Sequence, residues 1–232
     1  MNQRIEIIEV GPRDGLQNEH ARVPVEAKVA FINALAASGL REIEATSFVS
    51  PKAVPQLADA DEVMQLIERP AGIRFHALTP NERGYERALA AKADTVALFT
   101  SATEAFSQAN IRCSIAESFQ RFAPVVARAK TDGVAVRGYL SVAFVCPLSG
   151  DVDATEAAAV ARRLAEIGCD DICLADTVGR ARSTQITALL SILADDIPVE
   201  RLSLHVHDTG GRALDNIDAA LALGIRRVDG AA

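Results

Sequence analysis

The triplet His205-Val206-His207 is the sharpest chemical signal in this chain. On a strand, side chains two residues apart project to the same face, so both imidazoles can offer a nitrogen lone pair to one cation. The plainer reading puts one histidine in a core and the other in water. Against it, the pair takes two of only four histidines and ends an apolar run. A second polar cluster, Gly11-Pro12-Arg13-Asp14-Gly15-Leu16-Gln17-Asn18-Glu19, follows the first apolar run. Its glycines and proline make a tight turn that presents side chains. A fixed Arg13 there can stabilise an oxyanion or hold a carboxylate; a surface ion pair with Asp14 is the bland alternative. Asp14 with His205 and His207 makes a two-nitrogen, one-carboxylate donor set. With open positions for water and substrate, that set suits an octahedral divalent ion better than structural zinc.

Other polar residues are less decided. Glu44 stands in an apolar stretch, either inward-facing and functional or paired with a basic neighbour, and Asp176 is ambiguous in the same way. The four cysteines, Cys113, Cys146, Cys169 and Cys173, form no CxxC pair, which disfavours a disulfide scaffold or structural zinc and fits a reducing cytoplasm. Cys146-Pro147 has no His or Asn at a recognisable spacing, so a plain buried thiol is expected.

The elements that must position these groups alternate along the chain. Strands are expected over 4–10, 41–46, 73–78, 95–100, 134–143, 171–175, 202–206 and 226–229. Between them lie stripes at helical spacing: Val25, Val29, Ile32 and Ala36; Val160, Leu164 and Ile167; Ile186, Leu189, Leu190 and Leu193. Pro24 suits a helix start and Gly39 a stop, with Gly168 and Gly224 recurring at the same helix-to-strand position. Strand–helix alternation implies right-handed βαβ units and a parallel sheet. Around eight units in 232 residues point to a (β/α)8 barrel, with active-site residues at the C-terminal ends of the strands. No GxGxxG follows the first strand and no Walker loop occurs, which disfavours an open nucleotide-binding sheet. No linker or low-complexity tract divides the chain, so one domain over 1–232 is expected. The chain stops at Gly230-Ala231-Ala232, just past the eighth strand, and the expectation is a barrel lacking its final helix and C-terminal region.

Composition narrows the partners. With 24 Lys+Arg against 31 Asp+Glu the net charge is −7, which argues against nucleic acid or an anionic membrane surface but not against a small anionic substrate. A 49% hydrophobic and 24% charged chain has enough apolar surface to fold. No apolar run approaches the ~20 residues of a membrane span, and with the first strand starting this early no targeting peptide is expected.

VGPRDGLQNE at 10–19 resembles the signature of 3-hydroxy-3-methylglutaryl-CoA lyases. These belong to a metal-dependent barrel group that also holds isopropylmalate and homocitrate synthases. The similarity continues through EATSFVSPKAVPQ at 44–56, NIRCSIAESFQRF at 110–122, LADTVG at 174–179 and HVHDT at 205–209, and so spans essentially the whole chain. The synthases usually carry RDGEQ in the first motif, which this chain lacks. The resemblance implies Mg²⁺ or Mn²⁺ on Asp14, His205 and His207, an acyl-CoA substrate, and a catalytic group of Arg13, Glu44 and His205. It places Arg13, Gln17, Ser47 and Asp176 on the substrate, with the base to be found among Asp14, Glu44 and His205. The implied reaction is a retro-Claisen cleavage to acetyl-CoA and acetoacetate in leucine and ketone-body catabolism. The family's remaining Asn ligand and its cysteine in a GGCP segment are expected beyond Ala232. Departures at Gly210-Gly211, Val142–Leu148 and Arg180-Ala181-Arg182 bear on the acyl group. A lyase for a longer 3-hydroxy-3-alkylglutaryl-CoA, a condensing synthase and a non-catalytic truncated barrel stay as alternatives, and a homodimer stays open.

Overall fold

The structure, a computed structural model, describes residues 4–232. In chain order it sets β1 (Glu6–Glu9), α1 (Val25–Ala37), β2 (Glu42–Ser47), α2 (Ala60–Leu66), β3 (Arg74–Leu78), α3 (Glu82–Ala90) and β4 (Thr95–Ser101). There follow α4 (Glu104–Ile111), α5 (Ile115–Asp132), β5 (Ala135–Ser141), a short antiparallel pair β6 (Val145–Cys146) and β7 (Gly150–Asp151), and α6 (Ala154–Ile167). The series ends with β8 (Asp171–Asp176), α7 (Ser183–Leu193), β9 (Leu202–Val206), α8 (Ala213–Ala222) and β10 (Arg227–Gly230). Apart from the β6–β7 pair the strands are parallel and close in the order β1-β10-β9-β8-β5-β4-β3-β2. This is the (β/α)8 barrel the alternation predicts.

The outer faces of the strands form the main core with the helices. Ile43, Phe75, Val96, Leu98, Leu140, Ile172 and Leu204 meet Ile32, Val126, Leu164, Leu189 and Leu193 there. The expected stripes point inward: Ile32, Ala36, Val160, Leu164, Ile186, Leu189, Leu190 and Leu193 are buried, and Val25, Val29 and Ile167 pack on the same core half-covered. Gly168 adopts φ +107° where α6 turns into β8, the left-handed stop that glycine takes without strain. No helix among the described residues is long and apolar enough to cross a membrane.

The inner face is different in kind. Barrel interiors usually fill with branched aliphatic layers. Here Glu42, Glu44, His76, Arg137, Asp171, Ser203, His205 and Asp229 are all buried, and the register runs them into line across neighbouring strands. Only a small inner apolar cluster, Leu78, Ala97, Tyr139 and Cys173, separates them. Buried charges of this kind persist only when paired, and these are: Arg137 reaches Asp229 at 2.6 Å and Asp171 at 2.7 Å. The polar ladder rises along the barrel axis and emerges at its C-terminal mouth.

Candidate active site

Arg13 and Asp14 ride on a single π-helical turn, Gly11–Gly15, directly after β1. Pro12 has no amide to donate. The Arg13 and Asp14 amides both donate to the Val10 carbonyl, at 3.1 and 2.7 Å, and the widened turn folds both side chains back over the barrel. The Arg13 guanidinium is almost fully buried. Its Nη1 donates to Asp14 Oδ1 at 2.6 Å and its Nη2 to Glu44 Oε2 at 2.9 Å. Burial works against its charge, but Glu44, Tyr139 and Asp14 outweigh that and hold its pKa above the usual arginine value. Glu44 thus faces inward and is at the same time paired with a basic neighbour. Tyr139 donates to the same Glu44 oxygen at 2.7 Å, while Glu44 Oε1 and Arg13 Nε are buried without a partner.

β9 delivers the histidines as the two-residue spacing requires. His205 Nε2 and His207 Nε2 lie 3.0 Å apart, and each faces Asp14 Oδ2, at 3.7 and 3.9 Å. The ligating atoms of Asp14, His205 and His207 all fall within 4.8 Å of one another, the only such cluster found among the described residues. Adjacent ligands on an octahedral ion with 2.1 Å bonds sit about 3.0 Å apart, so these three fit one face of such an ion after shifts below an ångström. Burial lowers the pKa of His207, as does His205, with Asp14 opposing; the neutral, lone-pair-bearing imidazole is favoured.

Arg13, Asp14, Tyr139, His205 and His207 line a cavity of about 500 Å³ at the mouth together with Gln17, Leu78, Phe99 and Phe106, while Glu44 lies behind this lining. A groove of about 590 Å³ at the opposite end runs along the starts of β1, β2 and β3, away from the ligating cluster. Ser47 and Asp176 stand at the ends of β2 and β8, outside the mouth cavity's lining. Ser47 Oγ accepts from the Val49 amide at 3.3 Å. The Asp176 carboxylate accepts from the Arg180 and Ala181 amides, at 3.1 and 2.9 Å, and so shapes the loop after β8. Cys146 is the buried thiol expected, and the Thr103 hydroxyl and Leu148 amide donate to its sulfur at 3.3 and 3.4 Å.

Three residues of the network escape motif reading: Arg137, Tyr139 and Asp229. Asp229 Oδ2 lies 2.9 Å from His205 Nδ1 and its Oδ1 accepts from Arg137 at 2.6 Å. Burial pushes its carboxyl up, but Arg137 and His205 overcome this and hold it well below the usual carboxylate range. The signal was alternation. Helices cover the outside of such a sheet, so polar residues at every second strand position must face its axis.

A parallel barrel with a carboxylate and two histidines at its mouth, set against a buried Arg–Glu pair, has the build of a metal-dependent barrel enzyme. The chain belongs to the HMGL-like family, whose model matches residues 4–232. It is 48% identical to a hydroxymethylglutaryl-CoA lyase of Pseudomonas mevalonii over 98% of this chain and 75% of that protein. The crystal structure of the HMG-CoA lyase from Brucella melitensis superposes with a TM-score of 0.97 at 49% identity, covering 99% of this chain and 81% of that one. An HMG-CoA lyase from Acinetobacter baumannii, solved with coenzyme A and 3-methylmalate, gives a TM-score of 0.95 at 38% identity, over 99% of this chain and 75% of that one.

Proposed function

We propose that this chain is a carbon–carbon lyase that cleaves 3-hydroxy-3-methylglutaryl-CoA into acetyl-CoA and acetoacetate, using Mg²⁺ or Mn²⁺ held by Asp14, His205 and His207. The carrying observation is the contact between that ligand cluster and the Arg13–Glu44 pair, on a fold shared with lyases of this name. When bound, the cation acidifies the tertiary C3 hydroxyl and balances its developing charge.

The side chains then divide the work. With Asp14, His205 and His207 engaged as ligands, Glu44, joined to Asp14 through Arg13 and with its Oε1 buried without a hydrogen-bond partner, takes the hydroxyl proton. The C2–C3 bond breaks as the C3 oxygen becomes the ketone of acetoacetate. The electron pair passes to C2, giving the enolate of acetyl-CoA, and C2 takes up one proton to replace the one Glu44 removed, so that no proton is gained or lost overall. Arg13, held through both terminal nitrogens, faces the thioester oxygen where that negative charge develops. Gln17 borders the substrate, and the apolar wall of Leu78 and Phe99 takes its methyl-bearing side. Ser47 and Asp176 act one step back, through the loops they hold. The four cysteines, free and buried, suit a reducing compartment such as the cytoplasm.

The test is acetoacetate and acetyl-CoA formation from this thioester with Mn²⁺ present, in parent and Glu44→Gln. The parent should release the two products one to one. The variant should keep Mn²⁺ binding and lose about 10²–10⁴ in kcat. A parent that binds Mn²⁺ and the thioester yet releases no acetoacetate overturns the reading.

A further inference from the structure

We propose that Asp229, clamped by Arg137, is a positioning residue that locks His205 in the tautomer whose Nε2 lone pair faces the cation site. Arg137 Nη2 donates to Asp229 Oδ1 at 2.6 Å, so Asp229 sits as the carboxylate of that pair and turns Oδ2, an acceptor, on His205; across the 2.9 Å contact His205 Nδ1 carries the hydrogen and donates it. Nε2 is then an acceptor. It takes a hydrogen bond from His207 Nε2–H at 3.0 Å and is free for a metal ion when that proton leaves. Arg137 makes the arrangement one-way. Its Nη2 donates to Asp229 Oδ1 at 2.6 Å and to Ser203 Oγ at 3.0 Å, and its Nε pairs with Asp171 at 2.7 Å. The guanidinium has donors only, so whatever occupies position 229 must turn an acceptor toward it. Both side chains are buried, which leaves no water to substitute.

The consequence is specific to Asp229→Asn. The amide has the carboxylate's shape but a single acceptor oxygen, and Arg137 claims it. The NH₂ is then turned on His205 Nδ1, which must accept, and the proton moves to Nε2, the atom that has to ligate. Loss of such a supporting partner typically lowers metal affinity about 10–100-fold.

This inference rests on the cation reading of the site, and the experiment separates the two. Histidine ¹⁵N spectra of the metal-free parent, taken above the ordinary imidazole pKa of about 6.5, should show His205 protonated on Nδ1. In Asp229→Asn the proton should sit on Nε2, with Mn²⁺ affinity from electron paramagnetic resonance falling 10–100-fold and circular dichroism unchanged. A parent His205 protonated on Nε2 overturns the inference whether or not the variant folds. So does a folded Asp229→Asn that keeps the parent's tautomer or its Mn²⁺ affinity. A parent with the expected tautomer that fails to bind Mn²⁺ overturns the cation reading and leaves the positioning role of Asp229 standing.

Discussion

Arg13 shows how much one residue type can determine. Its two terminal nitrogens reach two different carboxylates, Asp14 on its own turn and Glu44 on β2, in a fork that only a planar guanidinium spans. Lysine would keep the charge but could satisfy one partner at a time. Arg13→Lys should therefore lower kcat by about a hundred- to a thousandfold, the ~3–4 kcal/mol an oxyanion contact supplies, with little change in KM. Steady-state kinetics with the thioester check this; a rise in KM at constant kcat would reduce Arg13 to an anchor. Arg13, Asp14, His205 and His207 were legible because each lies in a compact motif, where neighbours in sequence are neighbours in space. Asp229 and Tyr139 were not, since their partners lie 24 and 95 residues away and only barrel closure joins them.

Elements were legible where their periodicity ran long. All eight barrel strands fall within two residues of their expected bounds, and the helical stripes face the core. What the pattern missed was short or local. The β6–β7 pair has two residues per strand, too few for any period, and the two helices between β4 and β5 are split by a capping box, Ser114 with Glu117. β5 was expected to run on to 143 but stops at Ser141, because Val142 turns to φ +50°. β5 also shows how tightly sheet and helix are set. A Cβ at Gly138 would lie 3.0 Å from Cys169 Sγ and 3.1 Å from a Leu164 methyl, so a side chain there would force these α6-side neighbours to give by a few tenths of an ångström. Gly138→Ala should destabilise the fold by about 1–3 kcal/mol, as overpacking of a filled core does. Arg137 and Tyr139 flank this glycine, so a shift of β5 should weaken Mn²⁺ binding alongside the melting temperature. Calorimetry and a metal titration on one preparation check both; an unchanged melting temperature would show that α6 yields freely.

At the scale of the whole molecule, the barrel closes through β1, and this seam is thin: its described pairing with β2 is Ile8 with Glu42 and Glu9 with Ile43. A charged clasp spans it inside. Arg227 of β10 donates both terminal nitrogens to Glu42 of β2, each at 3.0 Å, and His76 lies 3.0 Å from the same carboxylate, which Arg74 also contacts. Burial pushes the Glu42 carboxyl up, but His76 and Arg227 outweigh it and hold its pKa far below the ordinary range. A carboxylate depressed on folding contributes stability above its unfolded pKa of about 4.3, and that contribution fades as the pH falls toward the folded value. Glu42→Gln lacks it at every pH. At pH 7 the variant should be less stable by on the order of 2 kcal/mol, once the solvent-screened Arg74 contact is discounted, or roughly 4–8 °C in Tm for a chain of this size. Below about pH 4 the parent begins to lose that contribution, so the two melting curves should draw together as the pH falls further toward the folded value. Calorimetric scans of both proteins from pH 7 to pH 3 check the sign. A difference that stays constant across that range would mean that Glu42 acts through shape alone, and that packing rather than the clasp closes the barrel.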